Sequence, residues 1–266
     1  MIKRVVGVVA AALAGVVLAT APADARETAD FTAIVALNNC SGSVVRPPTA
    51  TDNDPALVLT NGHCVKLMGA NEVIVNQAAS RTFTLLGPSG NNLGTLRSTK
   101  LSYATMKNTD AAFYQLSSTY AQIQQQYGTR ALDLSATRPA QGTGIQVVSG
   151  YWKRTYTCAV DGFAYQLKEG SWTWKDSIRY TRPCNVIGGT SGSPIIDGAG
   201  KVVGVNNTIN ESGGRCTTNN PCEVSQTGQV TVRSGIGYAQ QTYDITRCIT
   251  TGNQFNLTLP GCTLPR

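Results

Sequence analysis

Hydrophobic positions in this chain come in short, β-branched runs broken by Gly, Pro, Asn and Asp, the pattern of strands separated by turns. Strands are predicted at 31–37 and 40–45. Past a Pro/Thr/Asp-rich loop at 46–55, another is predicted at 56–60, where Ala-Leu-Val-Leu-Thr is apolar without alternation. Further short segments follow at 72–75, 81–86, 93–97 and 110–116. The Gln-rich stretch 118–127 is the only helix-like piece. A polar Pro/Gly stretch at 134–144 reads as a connector, and strands resume at 145–151, 163–167, 177–181, 194–196, 201–205, 229–232 and 236–239. Two β-rich halves, 26–133 and 134–266, are the expected organisation, built as barrels or sandwiches, and no internal repeat is visible.

The first residues add a compartment. Lys3 and Arg4 precede an apolar run at 5–19, and Ala23-Asp24-Ala25 puts small residues around one position. That is the layout of a secretory leader, 1–25, cut after Ala25. The run falls short of the roughly 20 residues a membrane span needs, and no cysteine follows it to take a lipid. A secreted protein is expected, extracellular or in the periplasm or cell-envelope space, with no membrane anchor after cleavage.

Composition narrows the function classes. The chain carries a formal charge of +7, yet its basic residues are scattered and form no stripe interleaved with aromatics. This argues for solubility and against nucleic-acid binding. Eight cysteines (Cys40, Cys64, Cys158, Cys184, Cys216, Cys222, Cys248 and Cys262), an even number in an exported chain, imply disulfides. No Cys-x-x-Cys pair occurs and His63 is the only histidine, so neither a metal site nor a cofactor is expected.

Candidate chemistry centres on Gly188-Gly189-Thr190-Ser191-Gly192-Ser193-Pro194, a serine between glycines ahead of an apolar run. Small neighbours let a substrate carbonyl approach and leave backbone N–H groups free. A serine hydroxyl needs a base to take its proton, and His63, at the mouth of the 56–60 strand, is the only neutral-pH base available. The base in turn needs a carboxylate to orient it. Asp133, Asp161 and Asp176 lie in polar or linker-like contexts, whereas Asp110 opens an apolar strand, an expensive place for an acid without a partner.

Taken in order, Thr60-Asn61-Gly62-His63-Cys64, Thr109-Asp110-Ala111-Ala112-Phe113 and Gly189-Thr190-Ser191-Gly192-Ser193-Pro194 resemble the chymotrypsin/trypsin-fold serine proteases. Secreted bacterial members, including the glutamyl endopeptidase-like branch, look most similar. The resemblance implies an all-β fold of two six-stranded antiparallel β-barrels with the active site in the cleft between them. It assigns Ser191 as nucleophile, His63 as general base and acid and Asp110 as orienter, with an oxyanion hole from the backbone N–H groups of Gly189 and Ser191. Ser193 is the competing hydroxyl, read as a packing residue. The implied activity is that of a secreted, monomeric serine endopeptidase acting on peptide or protein substrates. A catalytically inactive binding protein on the same fold and an esterase-like serine hydrolase are the alternatives.

The chain also departs from that pattern. Trypsin-like zymogens carry an aspartate where Thr190 stands, so no activation by a freed N-terminus is expected. By family position the specificity pocket would have Asn185 at its floor and Asn206, Asn207 and Thr208 along one wall, with Gly235–Gly237 a candidate far wall. Asn185 is no acid, which does not support Arg or Lys selection, and the second histidine that glutamyl endopeptidases use is absent. The resemblance implies a Cys40–Cys64 bridge. Cys216–Cys222 is expected from proximity, and Cys158–Cys184 with Cys248–Cys262 is the expected pairing of the remaining four, whose connectivity the sequence leaves open.

Overall fold

The computed structural model describes residues 1–2 and 30–266. The leader expected at 1–25 lies, apart from residues 1–2, outside the described residues. The first half runs β1 (Ile34–Ala36), β2 (Ser41–Arg46), β3 (Pro55–Thr60), β4 (Val73–Ala78), β5 (Thr82–Leu86), β6 (Asn92–Thr105), β7 (Ala111–Thr119), α1 (Tyr120–Tyr127) and β8 (Leu132–Asp133). The second runs β9 (Gly144–Ser149), β10 (Arg154–Glu169), β11 (Trp172–Tyr180), β12 (Pro194–Asp197), β13 (Val202–Ile209), β14 (Cys222–Val224), β15 (Val230–Val232) and β16 (Gly237–Gln241). A short helix α2 (Tyr243–Thr246) and a hairpin of β17 (Ile249–Thr250) and β18 (Gln254–Phe255) finish the chain.

Each half closes on itself. In the first, the order β1-β5-β6-β7-β3-β2 is completed by the pairing of β1 with β2, giving a closed six-stranded antiparallel barrel. In the second, β11-β16-β13-β12-β9-β10 closes where β10 pairs with β11, and β14 and β15 extend that ring from β10. Closure removes the exposed sheet edges. The fold is therefore all-β, with two closed rings of six strands in succession, as the sequence implies.

Why β3 and β7 read as unbroken apolar runs is visible in where their two faces go. Alternate side chains of a strand point to opposite faces. Ala56 and Val58 of β3, with Ala112, Tyr114 and Leu116 of β7, pack into the first barrel's interior. Leu57 and Leu59, with Ala111 and Phe113, face outward into a second apolar cluster shared with Val202, Val205 and the C-terminal segment. Phe255 of that segment stacks on Tyr103 at 5.4 Å and leans on Phe113 at 5.1 Å. The second barrel has its own core around Val147, Ile178, Tyr180 and Ile195. Two strands with both faces buried are thus held rigidly, and they are the strands whose ends carry His63 and Asp110.

Several elements are longer than their apolar runs suggest. β6 continues past 93–97 and β10 far outside 163–167, because both bend around a barrel through register shifts, at Ser98/Lys100, Leu101/Tyr103 and Val160/Gly162. β14 and α2 carry no periodic signal and are found only in the structure. The helix is capped as its sequence allows: the Thr119 hydroxyl accepts from the Gln122 N–H, Gln122 Oε1 accepts from the Thr119 N–H, and Gly128 ends it at φ 66°. Among the described residues no helix is long and apolar enough to cross a membrane.

All eight cysteines pair: Cys40–Cys64, Cys158–Cys184, Cys216–Cys222 and Cys248–Cys262. The first joins the entry of β2 to the turn after β3 across 24 residues, and so anchors the residue next to His63. Replacing both with alanine is expected to lower unfolding free energy by about 3 kcal/mol, the chain-entropy value for a loop of this size. Chemical denaturation of the double variant beside the unaltered protein measures it.

Candidate active site

Barrel register brings the base and the acid together. β3 and β7 are antiparallel neighbours with Thr60 opposite Ala112, so the turn that leaves β3 lies beside the residue that enters β7. That turn carries His63 and that residue is Asp110. The Asp110 carboxylate is fully buried and accepts twice from His63: from the ring Nδ1 at 2.7 Å and from the backbone N–H at 3.1 Å. Gly62 makes this possible, since a Cβ there would press into the Thr105 carbonyl and come within 3.1 Å of Asp110 Oδ1. With Nδ1–H committed to Asp110, the other ring nitrogen, Nε2, is the one left to accept a proton.

The Ser191 turn, just before β12, is fastened to the first barrel. The Ser191 carbonyl accepts from the Ser41 N–H at 2.8 Å. The Gly192 N–H donates to Asn61 Oδ1 at 2.6 Å and to the Asn206 carbonyl at 3.0 Å. Gly192 sits at φ 79° with Ser41 and Thr60 so close that no side chain fits there. Asn61 also donates through Nδ2 to the Asp110 carbonyl at 2.8 Å. One buried carboxamide, two residues ahead of His63, therefore ties together the loops carrying Asp110 and Ser191. Ser191 Oγ rests on the Asn207 carbonyl at 3.3 Å, and Ser191, His63 and Asp110 line one cleft. Ser193 is fully buried and lies outside that cleft.

Beside Ser191 the backbone presents donors. Gly189 has φ 84°, a conformation glycine adopts freely. Neither its N–H nor that of Ser191 has an acceptor among the described residues. The Trp152 indole N–H donates to the Gly188 carbonyl at 2.8 Å. A peptide's carbonyl and N–H point opposite ways, so this bond also fixes the direction of the Gly189 N–H. Thr190, buried, donates to the Ile187 carbonyl at 2.5 Å, and its hydroxyl and carbonyl both accept from Asn206 Nδ2 at 3.0 Å.

A family model described as a trypsin-like peptidase domain matches residues 40–205, a span that takes in all three of these turns. The chain belongs to the trypsin-like peptidase family. Solved structures to which it is similar include the MamO protease domain from Magnetospirillum magneticum in its apo form, at 15% identity over 82% of this chain and 96% of that one, TM-score 0.47. The Rv3671c protease from M. tuberculosis in its active form is 17% identical over 90% of this chain and 84% of that one, TM-score 0.48. A Glu endopeptidase in complex with MPD is 16% identical over 82% and 88%, TM-score 0.45. No curated protein matches.

The cleft of this trypsin-like chain has a volume of about 130 Å³. Asn206, Asn207 and Thr208 line it. Asn185 does not. It is exposed, at φ 52° beside Cys184, and the neighbouring Val186 faces the cleft in its place. Gly235–Gly237 are likewise absent from the lining. Two features went unread in the sequence: Glu169, at the end of β10, and the pair Trp172 and Trp174 on β11, all of which line the cleft. Leu-Lys-Glu-Gly reads as an ordinary charged hairpin, and only the closure of β10 on β11 turns it inward. The other aspartates serve elsewhere: Asp161 pairs with Arg179, Asp176 with Arg138, and Asp133 is exposed.

Among the described residues, the one His/Cys/acid group close enough to hold a metal is Cys40, His63 and Cys64, and its two sulfurs are spent in a disulfide. Burial disfavours charge on His63, but the Asp110 charge and hydrogen bond, with Glu169 adding to them, outweigh it and hold the imidazole above its ordinary value. Because His63 is the only histidine, its ring can be followed by NMR without assignment. Its titration midpoint is expected above about 6.5. In Asp110→Asn, which removes the charge and leaves the burial, the midpoint is expected to fall below that of the unaltered protein.

Proposed function

We propose that this chain is an exported serine endopeptidase that works through an acyl-enzyme. Ser191 is its nucleophile, His63 its general base and acid, and Asp110 the carboxylate that orients His63. The observation that carries this reading is the His63–Asp110 pair opening onto a cleft shared with Ser191, at 2.7 Å and with the acid fully buried. That geometry commits one ring nitrogen to the acid and leaves the other for a proton. The burial of Ser193 favours Ser191 as the reacting hydroxyl.

The chemistry follows from these positions. The Ser191 hydroxyl leaves the Asn207 carbonyl, turns to His63 Nε2 and gives up its proton as Oγ attacks the substrate carbonyl. Such catalytic hydrogen bonds commonly form only once substrate is bound. The developing oxyanion is taken by the N–H groups of Gly189 and Ser191, a loss of either donor typically costing about 2.7–4 kcal/mol of transition-state stabilisation. His63 passes its proton to the leaving amine, and water deacylates Ser191 by the same route in reverse.

The cleavable leader, the division into barrels at 26–133 and 134–266, and the monomeric state belong to this proposal. Four disulfides support an oxidising compartment. A freed N-terminus plays no part in activation: Thr190 occupies the place of the zymogen acid and is already held by Asn206 and the Ile187 carbonyl. A fluorophosphonate probe tests the reading. It is expected to label the mature protein and to leave Ser191→Ala and His63→Ala unlabelled; equal labelling of Ser191→Ala would contradict it. Cleavage of a protein substrate separates a peptidase from an esterase, which would turn over only activated esters, and from an inert binding protein, which would do neither.

A further inference from the structure

Glu169 is out of place for a merely structural acid. It is 6% exposed and lines the cleft that holds His63 and Ser191. Its Oε2 accepts from the Thr208 hydroxyl at 2.7 Å and its Oε1 from the Asn219 N–H at 2.8 Å. Both partners donate, which favours the carboxylate over the acid. Among the described residues no lysine, arginine or histidine makes an ion pair with it. The charged side chains lining the cleft are His63, Asp110, Glu169 and Glu211, with no lysine or arginine, although the chain as a whole is basic. Burial pushes the Glu169 carboxyl up, and the hydrogen bonds from Thr208 and Asn219 and the nearby His63 offset that only in part. Such a group is costly to bury, and a cation hydrogen-bonded to it in the cleft offsets that cost.

A second, independent feature points the same way. Asn207 is 3% exposed and lines the same cleft, and neither its Oδ1 nor its Nδ2 has a hydrogen-bond partner. It is the bulged residue of β13, standing between Asn206 and Thr208 where the register with β16 shifts. An unpartnered buried amide is destabilising unless something arrives to pair with it. Its Oδ1 is an acceptor, the complement of an ammonium or guanidinium N–H.

We propose that the cleft is a subsite for a cationic side chain, lysine or arginine, with Glu169 supplying the charge and Asn207 Oδ1 a further acceptor. This rests on the peptidase reading and deepens it by naming the substrate class. It also reverses the expectation drawn from Asn185, which lies outside the cleft: the acid comes from the β10–β11 hairpin instead. An acidic substrate side chain would meet Glu169 and Glu211 and be repelled.

Glu169→Gln isolates the charge. The amide keeps an acceptor for the Asn219 N–H, and its NH₂ donates to the Thr208 oxygen once that hydroxyl turns. Circular dichroism and the thermal midpoint check that the variant folds. A peptide library presented to the mature protein should enrich lysine or arginine at one position near the scissile bond. Selectivity for arginine over its neutral isostere citrulline should drop at least about tenfold in Glu169→Gln, the scale of one charged hydrogen bond, and by a smaller factor in Asn207→Ala. Calorimetry with benzamidine is independent of turnover and should show binding that weakens by a similar factor in Glu169→Gln. A preference for neutral or acidic side chains, or a basic preference and benzamidine affinity unchanged by the substitution, would overturn the proposal. Glu169-dependent benzamidine binding by a chain that cleaves nothing would sink the peptidase reading and leave the cation site standing.

Discussion

Everything at the site depends on how the Ser191 turn is seated against the first barrel. Gly192 lies so close to Ser41 and Thr60 that any side chain would force the two apart, and its N–H is gripped by Asn61 Oδ1. The same carboxamide donates to the Asp110 carbonyl. Asn61 is fully buried, so each of these bonds is made away from water, and an unpaired partner would be destabilising by about 1–3 kcal/mol. One side chain thus sets the distance between an acid supplied by β7 and a hydroxyl supplied by the turn before β12. The pieces lie far apart in the chain; this junction makes them one site.

The rigidity behind that junction comes from burial on two sides. β3 and β7 face the barrel interior with one set of side chains and the C-terminal segment with the other. This double burial explains the unbroken apolar runs at 56–60 and 111–114, and those runs made the strands legible. The same runs locate His63 and Asp110 at their ends, and the order His, Asp, Ser is readable because the turn residues around each are distinctive. The short cap-bounded helix at Tyr120–Tyr127 is legible for a comparable, local reason.

What could not be read depends on long-range geometry. Asn61 looks like a turn residue until Gly192, far along the chain, is laid against it. Trp152 looks like part of a polar hairpin until its indole reaches the Gly188 carbonyl. Glu169 sits in a hairpin whose sequence is that of any solvated turn, and only the pairing of β10 with β11 and β14 carries it into the cleft. Asn185 shows the converse. Its place in the family pattern points to it, yet the backbone there takes a left-handed turn that sends Asn185 to solvent and Val186 inward.

Electrostatically the cleft is the inverse of the chain as a whole. A basic chain surrounds a recess whose fixed charges are carboxylates, and the single imidazole stands among them, held above its ordinary pKa by Asp110 and Glu169 against the burial that lowers it. All of this presupposes that the Asn61 junction holds the two barrels in register. The rate at which a fluorophosphonate labels Ser191 in Asn61→Ala, beside the unaltered protein and with matched circular dichroism, tests that claim most directly. A fall of at least tenfold is predicted, since misplacement by about 1 Å can cost 10²-fold. Equal rates in a folded variant would contradict it.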